Sequence, residues 1–326
     1  MSHRKRVIVT GVSGYIGSVI AKRCLASGYQ VLGISKNNAE LVSQELGVDV
    51  VKADLLVPSN LESIDFQASD VIIHCATAND ILSKDFNAGV SLSLMGTRHL
   101  FEAALRAGVR KLMLFSTAQV YGTELIGVID ESSPVRCETP YALNHFFAEE
   151  LSRFYSITSD FDVVAVRPSN VYGLPLISTV NRSTLVPMCF VDQVFEKSSI
   201  TLHSSGKQTR NFVSTGEVAD LVLKFLGEFP QGFSIANAYS NYHASIFDIA
   251  ALVANSFAAT YKKNITVNVE GVQPSTQNIF RYRSKFFIPL ADESACKDNM
   301  ASVIDQLIQK REQNEKTDPG SRQPVF

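Results

Sequence analysis

Short runs of apolar and β-branched residues alternate through the first half of the chain with longer stretches in which apolar residues recur every three or four positions. The short runs predict strands, and the longer stretches predict helices with one buried face. The predicted strands are residues 6–10, 30–35, 48–52, 71–75, 111–116 and 162–167. The predicted helices are residues 18–27, 39–46, 90–107 and 141–155. This alternation predicts an α/β protein with a doubly wound parallel sheet and right-handed crossovers.

The rhythm changes after Gly173, where Pro, Ser and Thr interrupt the pattern. We expect a second, smaller α+β substrate lobe there, with helices at 186–196, 246–257 and 301–311 and strands at 200–203 and 265–269. Residues 212–225 predict a strand and a helix that return to the large sheet. The predicted division is 1–173 with about 211–230 for the sheet domain, 174–210 with about 231–308 for the substrate lobe, and a flexible tail at 309–326.

Composition and charge exclude several classes of partner. The 326 residues contain 30 Lys and Arg against 32 Asp and Glu, so a net charge of −2 provides no general attraction for nucleic acid or an anionic membrane. No segment approaches the ~20 consecutive apolar residues of a membrane span. The five cysteines are scattered, without a CxxC pair or a histidine at metal-ligand spacing. We therefore expect a cytoplasmic protein that binds no metal, no nucleic acid and no membrane.

A glycine-rich turn lies between the first predicted strand and the first predicted helix. Gly11, Gly14 and Gly17 recur every three residues in the segment TGVSGYIG. Such a turn lets the backbone approach a pyrophosphate while the helix N-terminus faces its negative charge. The same glycines could instead serve only a tight turn and close packing. The position directly between strand and helix favours dinucleotide binding.

Together with other motifs, this turn resembles the extended short-chain dehydrogenase/reductase family of nucleotide-sugar epimerases, dehydratases and reductases, whose glycine pattern is TGxxGxxG. The other motifs, in chain order, are His74-Cys75-Ala76, the helix start at Gly96-Thr97, the segment FSTAQVYG that contains Ser116 and Thr117, the segment VRPSNVYG that contains Pro168 and Asn170, and GKQTRNFV with Arg210. The resemblance implies a Rossmann domain that binds NAD or NADP. The residues that it implies for cofactor binding are Gly11, Ser13, Gly14, Tyr15, Ile16, Gly17, Cys75, Ala76, Thr77, Tyr141, His145 and Pro168.

The end of the second predicted strand bears on the choice of dinucleotide. NAD-binding domains place a carboxylate about 20 residues past the glycines, where it binds the ribose hydroxyls. Here Ser35 and Lys36 supply a hydroxyl and a cation, which suit the 2′-phosphate of NADP, so we favour NADP slightly over NAD. Lys36 could equally be a solvated loop residue. Asp54 and Leu55 resemble the family's adenine-flanking pair, although Asp54 could simply shape a turn.

The resemblance implies a catalytic tyrosine and a serine or threonine that shares its hydrogen bond. Tyr141 and Thr117 occupy these positions, with Ser116 beside Thr117. A free tyrosine has a pKa of about 10, and the family lowers that pKa with a lysine one helical turn later. This chain has His145 instead, and imidazole is mostly neutral at pH 7. Three interpretations stay open: His145 substitutes in part, another cation replaces the lysine, or the protein binds dinucleotide with little turnover.

A nucleotide-diphosphate sugar is the substrate that the resemblance implies. The candidate substrate residues are Ser116, Thr117, Asn170, Arg210 and Arg281. Arg210 lies where the family binds the diphosphate, and an arginine suits that role because its guanidinium binds phosphate in a bidentate way. Asn170 could instead form a turn.

The reaction type depends on two residues next to Thr117. The dehydratase branch of the family reads STDEVYG, and Ala118 and Gln119 replace its two carboxylates here, so water elimination is disfavoured. We expect an epimerase or a ketoreductase, with a non-catalytic dinucleotide-binding or regulatory protein as the alternative. The family pairs its subunits through the helices predicted at 90–107 and 141–155, which implies a homodimer.

Overall fold

The computed structural model describes residues 5–271 and 280–317. Its strands are β1 (Arg6–Thr10), β2 (Gln30–Ser35), β3 (Asp49–Lys52), β4 (Val71–His74), β5 (Lys111–Phe115), β6 (Gly127–Ile129), β7 (Asp162–Pro168), β8 (Asn170–Tyr172), β9 (Ser199–Leu202), β10 (Thr209–Ser214), β11 (Phe233–Ala238), β12 (His243–Ser245), β13 (Thr266–Val269) and β14 (Phe280–Tyr282). Its helices are α1 (Tyr15–Ala26), α2 (Ala39–Leu46), α3 (Pro58–Glu62), α4 (Phe86–Val90), α5 (Thr97–Arg106), α6 (Pro140–Ser159), α7 (Met188–Lys197), α8 (Thr215–Gly227), α9 (Ile246–Tyr261) and α10 (Glu293–Thr317).

Seven strands form one parallel sheet in the order β11-β7-β5-β4-β1-β2-β3. The strand order runs in opposite directions on the two sides of the β1–β4 pair, which makes this pair the topological switch point. In open α/β sheets, ligands bind at this point, beyond the carboxyl ends of the strands. The predicted doubly wound parallel sheet is confirmed, and β1 and β4 locate its crevice.

Strand β1 explains why several successive residues in the strands of this sheet are apolar. Val7 and Val9 face a core formed with α1 and α8, whereas Ile8 faces a second core formed with α5 and α6. Because alternate side chains of a strand point to opposite faces, a strand covered on both faces must be apolar at every position. Helices on both faces of the sheet thus account for the continuous apolar runs in the sequence.

The return of the chain to the large sheet differs from the prediction. Residues 212–225 do contain the end of a strand and most of a helix, but β10 joins β12 and β8 in a separate three-stranded sheet. Strand β11 instead extends the large sheet beside β7, although the predicted division assigned residues from about 231 to the smaller lobe. Asn237 in β11 is buried and accepts a hydrogen bond from the Tyr121 hydroxyl at 2.9 Å. Such buried polar residues break the apolar run by which a strand is recognised.

The helix predicted at 90–107 is interrupted by a π-helical turn at Ser91–Gly96, between α4 and α5. Within this turn the buried Ser93 hydroxyl accepts a hydrogen bond from the Ala78 N–H at 3.0 Å. Turns of this kind occur often at functional sites. Here the turn anchors the loop that follows β4, close to the crevice.

A third core is formed by the C-terminal part of the chain. It is formed by α7, α9 and α10 with the parallel pair β9 and β13, and it buries Met300 and Ile304 of α10. Helix α10 continues to Thr317, so the first part of the tail predicted at 309–326 is helical. Residues 318–326 lie outside the described residues. The boundaries between the two predicted lobes stay a prediction.

Some chemical features can be read from the described residues directly. None of the helices within 5–271 and 280–317 has both the length and the hydropathy that a membrane span requires. In the same ranges, no three His, Cys, Asp or Glu side chains are grouped so that they could hold a metal ion. Each of the five cysteines is a free thiol.

Candidate active site

A cleft of about 400 Å³ opens at the carboxyl ends of β1 and β4. Most of the predicted cofactor residues line it together with two candidate catalytic residues. The predicted residues that line the cleft are Gly11, Ser13, Gly14, Tyr15, Ile16, Gly17, Cys75, Ala76, Thr77, Ser116, Tyr141 and His145. The fold therefore brings the glycine-rich turn and the start of α6 to one site, as the motif order predicted.

The glycine-rich turn packs tightly against the loop after β4. Gly11 has a φ of +66°, and a Cβ atom there would lie 2.9 Å from the Ala76 nitrogen. A Cβ atom at Gly17 would collide with the Gly11 carbonyl oxygen. Both positions therefore require glycine for packing, whatever the turn binds.

The N-terminus of α1 opens into the same cleft. Gly14 occupies its N-cap position, and no side chain caps the helix. The N–H groups of the first turn are therefore available to an anion, which the positive end of the helix dipole also attracts. These residues fit the pyrophosphate of a dinucleotide.

The residues at the end of β2 lie beside this turn. Ser35 is buried, donates a hydrogen bond to the Asn37 carbonyl at 2.7 Å and lies 2.9 Å from the Ser13 hydroxyl. The Lys36 ammonium lies 2.9 Å from an Asp54 carboxylate oxygen. Burial opposes the charge of Asp54, but hydrogen bonds from Lys36 and from the Leu56 N–H outweigh that effect and hold its pKa below the usual range. The Leu55 side chain is buried in the core behind the sheet.

Tyr141 lies in the first turn of α6, directly after Pro140 at the helix start. The Thr139 hydroxyl caps this helix by accepting the Ala142 N–H at 3.1 Å, which fixes the orientation of its first turn. The Thr117 hydroxyl is hydrogen-bonded to the Tyr141 hydroxyl. Burial raises the pKa of Tyr141, and this hydrogen bond opposes the rise. Tyr141 is therefore protonated at neutral pH and can donate a proton.

His145 follows one helical turn after Tyr141 and packs against it. The two rings meet edge to face, with centroids 4.6 Å apart. His145 is only 4% exposed, and burial lowers its pKa to about 4, although a hydrogen bond with the Phe115 backbone favours the charged ring. Its Nδ1 atom is buried without a hydrogen-bond partner in the described part of the chain. At pH 6 to 8 the ring is neutral, so it provides no cationic field for Tyr141.

Ser116 is engaged in a buried network behind the cleft. Its hydroxyl donates to Glu149, which also forms a salt bridge with Arg167 at 2.5 Å. Both charged side chains are almost fully buried, and the Arg167 guanidinium lies 4.8 Å from the centre of the Tyr121 ring. Paired buried charges of this kind hold the elements that carry them in one arrangement. Ser116 thus has a structural partner in addition to its place in the cleft.

The other predicted substrate residues do not line this cleft. Asn170 is exposed and donates from its amide to the Asn211 carbonyl at 3.0 Å. Arg210 is half-buried on β10, and burial lowers its pKa. Arg281 is exposed on β14. Pro168, which was predicted to bind the cofactor, ends β7, is buried and does not line the cleft either.

The sequence patterns missed one charged residue of the cleft. Arg182, from the segment between β8 and α7, lines the cleft together with Tyr141 and His145. Its guanidinium forms a salt bridge with Asp80, whose nearest oxygen lies 3.2 Å away. This segment is irregular and belongs to none of the recognised motifs, so the sequence held no signal for it.

Comparisons with known proteins identify the family of the chain. The family model of NAD-dependent epimerases and dehydratases matches residues 7–237. The chain is 28% identical over 298 residues to dTDP-D-glucose 4,6-dehydratase of Mus musculus, an alignment that covers 87% of this chain and 82% of that protein. It is 29% identical over 258 residues to UDP-glucose 4-epimerase of Mycolicibacterium smegmatis, covering 74% of this chain and 81% of that protein.

A solved structure shares the whole fold. UDP-glucuronic acid 4-epimerase from Bacillus cereus, in complex with UDP-glucuronic acid and NAD, has a TM-score of 0.75 and 23% identity, and the match covers 94% of this chain and 99% of that chain. The matched family model spans both the glycine-rich turn and the start of α6. The resemblance read from the motifs is confirmed: the chain belongs to the NAD-dependent epimerase/dehydratase family of extended short-chain dehydrogenases/reductases.

Proposed function

We propose that this chain is an NAD(P)-dependent nucleotide-sugar epimerase or ketoreductase. The hydrogen bond between Thr117 and Tyr141, which lines the cleft together with the glycine-rich turn, carries the proposal. Two hydrogen-bonded hydroxyls beside a dinucleotide site are suited to relay a proton to a sugar oxygen. Two relatives are named for dTDP-D-glucose and UDP-glucose, and these names support a nucleotide sugar as the substrate.

The residues of the cleft divide the work between binding and proton transfer. The first turn of α1 would hold the pyrophosphate, with Gly14 and Gly17 leaving room for it. A bound nicotinamide would supply hydride exchange with a sugar carbon. Tyr141 would donate its proton to the sugar oxygen when a carbonyl is reduced and take it back when a hydroxyl is oxidised, while Thr117 orients that oxygen.

The residues that follow Thr117 support hydride transfer without elimination. Ala118 and Gln119 begin a 3₁₀ turn at the positions that resemble the two carboxylates of the dehydratase motif. An alkyl group and an amide cannot act as the acid and base that remove water. Epimerisation and keto-reduction need only one proton relay, so both fit this site.

The choice between NADP and NAD depends on Lys36. The solved relative named above is in complex with NAD. The Lys36 side chain is 63% exposed, and an exposed ion pair such as Lys36–Asp54 contributes little, so Lys36 can turn toward a 2′-phosphate. We expect Lys36→Ala to weaken NADP binding about tenfold and to leave NAD binding unchanged, measured by titration calorimetry, with Lys197→Ala as the control. Equal losses for both dinucleotides would contradict the preference for NADP.

The proposed reaction is tested by turnover of a panel of UDP- and dTDP-sugars. The panel is chosen after mass spectrometry of the dinucleotide and the nucleotide sugar that copurify. Tyr141→Phe removes only the hydroxyl and is expected to lower kcat at least a hundredfold. Tyr155→Phe is the matched control, because Tyr155 lies on the same helix but stacks on Phe101 in the core. If Tyr141→Phe turned over the sugars at the rate of native protein, the catalytic assignment would be refuted.

A second candidate function is dinucleotide binding without turnover. The neutral, buried His145 in place of a lysine favours it, because Tyr141 then has no cation one helical turn later to lower its pKa. Tight binding of NAD(P), with no turnover of any sugar of the panel between pH 6 and 10, would support this function. Turnover that depends on Tyr141 would exclude it.

We also propose a homodimer. Phe154 and Ile157 on α6 are 56% and 77% exposed, and the family pairs its subunits through this helix. Large apolar side chains exposed on one helix indicate a contact surface. Analytical ultracentrifugation of native protein and of the Ile157→Glu variant tests the pairing, and a native monomer would contradict it.

A further inference from the structure

Arg182 brings a full positive charge into the cleft that contains Tyr141. Among the described residues that line this cleft, it is the only lysine or arginine. The Arg182 side chain is 18% exposed, and its Nε atom is buried without a hydrogen-bond partner in the described part of the chain. The charge is therefore held close to the site instead of extending into solvent.

Asp80, in the loop after β4, fixes the segment that carries Arg182. One Asp80 oxygen lies 3.2 Å from Arg182 Nη1, and the other accepts a hydrogen bond from the Thr184 hydroxyl at 2.9 Å. The Asp80 carboxylate thus contacts the segment at both Arg182 and Thr184. Because Asp80 is part of the pair, its negative charge also faces Tyr141 and opposes the effect of Arg182.

Within residues 5–271 and 280–317, Arg182 is the one source of positive charge that acts on Tyr141. From its own helix it meets the neutral His145 ring, and from the end of β5 the uncharged Thr117 hydroxyl. Arg182, which lines the same cleft, and its partner Asp80 also act on the pKa of Tyr141. Arg182 lowers the pKa of Tyr141, Asp80 raises it, and burial raises it most.

We propose that Arg182 is a positioning residue that stabilises the Tyr141 phenolate from across the cleft, in place of the lysine that the family supplies from α6. This proposal rests on the proton-relay role of Tyr141 in the proposed function. When the O–H bond of Tyr141 breaks and its proton passes to the sugar oxygen, the electron pair stays on the phenolate oxygen, where the guanidinium stabilises it. When a sugar hydroxyl is oxidised, the phenolate takes up the hydroxyl proton. A cation that is fixed by its own carboxylate partner serves both directions without gaining or losing a proton.

The proposal is tested on the protein without cofactor, by NMR titration of ring-labelled tyrosine with the Tyr141 signal assigned through Tyr141→Phe. Arg182→Gln is expected to raise the pKa of Tyr141 by about one unit, and Arg182→Lys to restore most of the native value. Asp80→Asn keeps the arginine and is expected to lower the pKa of Tyr141. Arg23→Gln is the matched control, because Arg23 pairs with Asp220 on the surface at 2.6 Å. A Tyr141 pKa that is the same in Arg182→Gln, Asp80→Asn and native protein would overturn the proposal.

The pH dependence of turnover supplies a second readout. Arg182→Gln is expected to move the rise of kcat/KM to higher pH by the same shift that NMR measures, and Arg182→Lys to reverse it. A loss of kcat/KM that is equal at every pH, without a pKa shift, would mean that Arg182 only binds substrate and would overturn the proposal. If Tyr141→Phe proves fully active, the proposed function fails, whereas the titration still decides whether Arg182 acts on Tyr141.

Discussion

Replacing His145 by lysine should place a positive charge on α6 one helical turn after Tyr141. The centre of the His145 ring lies 4.6 Å from that of Tyr141. At this distance, and at an effective dielectric constant of ~20, a full cation stabilises the phenolate by about 3.6 kcal/mol, or ~2.6 pKa units. Solvent in the open cleft reduces this figure, so we expect the pKa of Tyr141 to fall by about one to two units.

The lysine also has a cost, because position 145 is only 4% exposed. Fitting a longer charged side chain there should lower the free energy of unfolding by about 1–3 kcal/mol, measured by urea denaturation. His145→Met is the matched control, since methionine has a similar length without the charge. The assay is the pH profile of kcat/KM from pH 5 to 10, in which His145→Lys should reach its plateau at lower pH than native protein. Identical profiles for the lysine and methionine variants would refute the electrostatic reasoning.

Three further predictions concern packing and stability. Gly17→Ala should abolish dinucleotide binding in calorimetry, because its Cβ would collide with a backbone oxygen of the glycine-rich turn, whereas Gly227→Ala meets no atom within 4 Å and should bind normally. Glu149→Gln should lower the free energy of unfolding by about 3–5 kcal/mol in urea, because it leaves the buried Arg167 without a counter-charge; a loss below about 1 kcal/mol would contradict this. The pKa of His145 is lowered to about 4 in the folded state, so unfolded chains bind its proton more readily and stability should fall as the pH drops from about 6.5 to 4. Over this pH range the free energy of unfolding of His145→Gln should fall by up to about 3 kcal/mol less than that of native protein. Equal losses in the two proteins would show that His145 is not buried in its neutral form.

The sequence predicted the large sheet well because its strands are buried on both faces. Strands β1 and β2 have the predicted bounds, since their inner residues are apolar and polar residues begin and end each run. The sequence pattern does not predict strand β11, because Ser234 and Asn237 break its apolar run. Asn237 is tolerated there only because partners far along the chain, such as Tyr282, satisfy its side chain, and a local pattern cannot reveal such partners.

The candidate site was predictable where a motif fixes both residue type and position. The glycine-rich turn, Thr117 and Tyr141 all belong to such motifs. The fold brings the turn and Tyr141 to one cleft, and Thr117 is hydrogen-bonded to Tyr141. The charge state of His145 depends on burial, which a sequence pattern does not report. Arg182 depends on how an irregular segment folds back onto Asp80, a contact across about a hundred residues for which no periodicity exists.

The central claim is that Tyr141 relays the proton of a hydride transfer in the cleft beyond β1 and β4. A single-turnover experiment tests it most directly: native protein is mixed with NADPH or NADH and a keto nucleotide sugar, and the loss of the reduced nicotinamide absorbance is followed. We predict oxidation of the dinucleotide by native protein and by Tyr155→Phe, and oxidation at least a hundredfold slower by Tyr141→Phe. Oxidation by Tyr141→Phe at the native rate would contradict the claim.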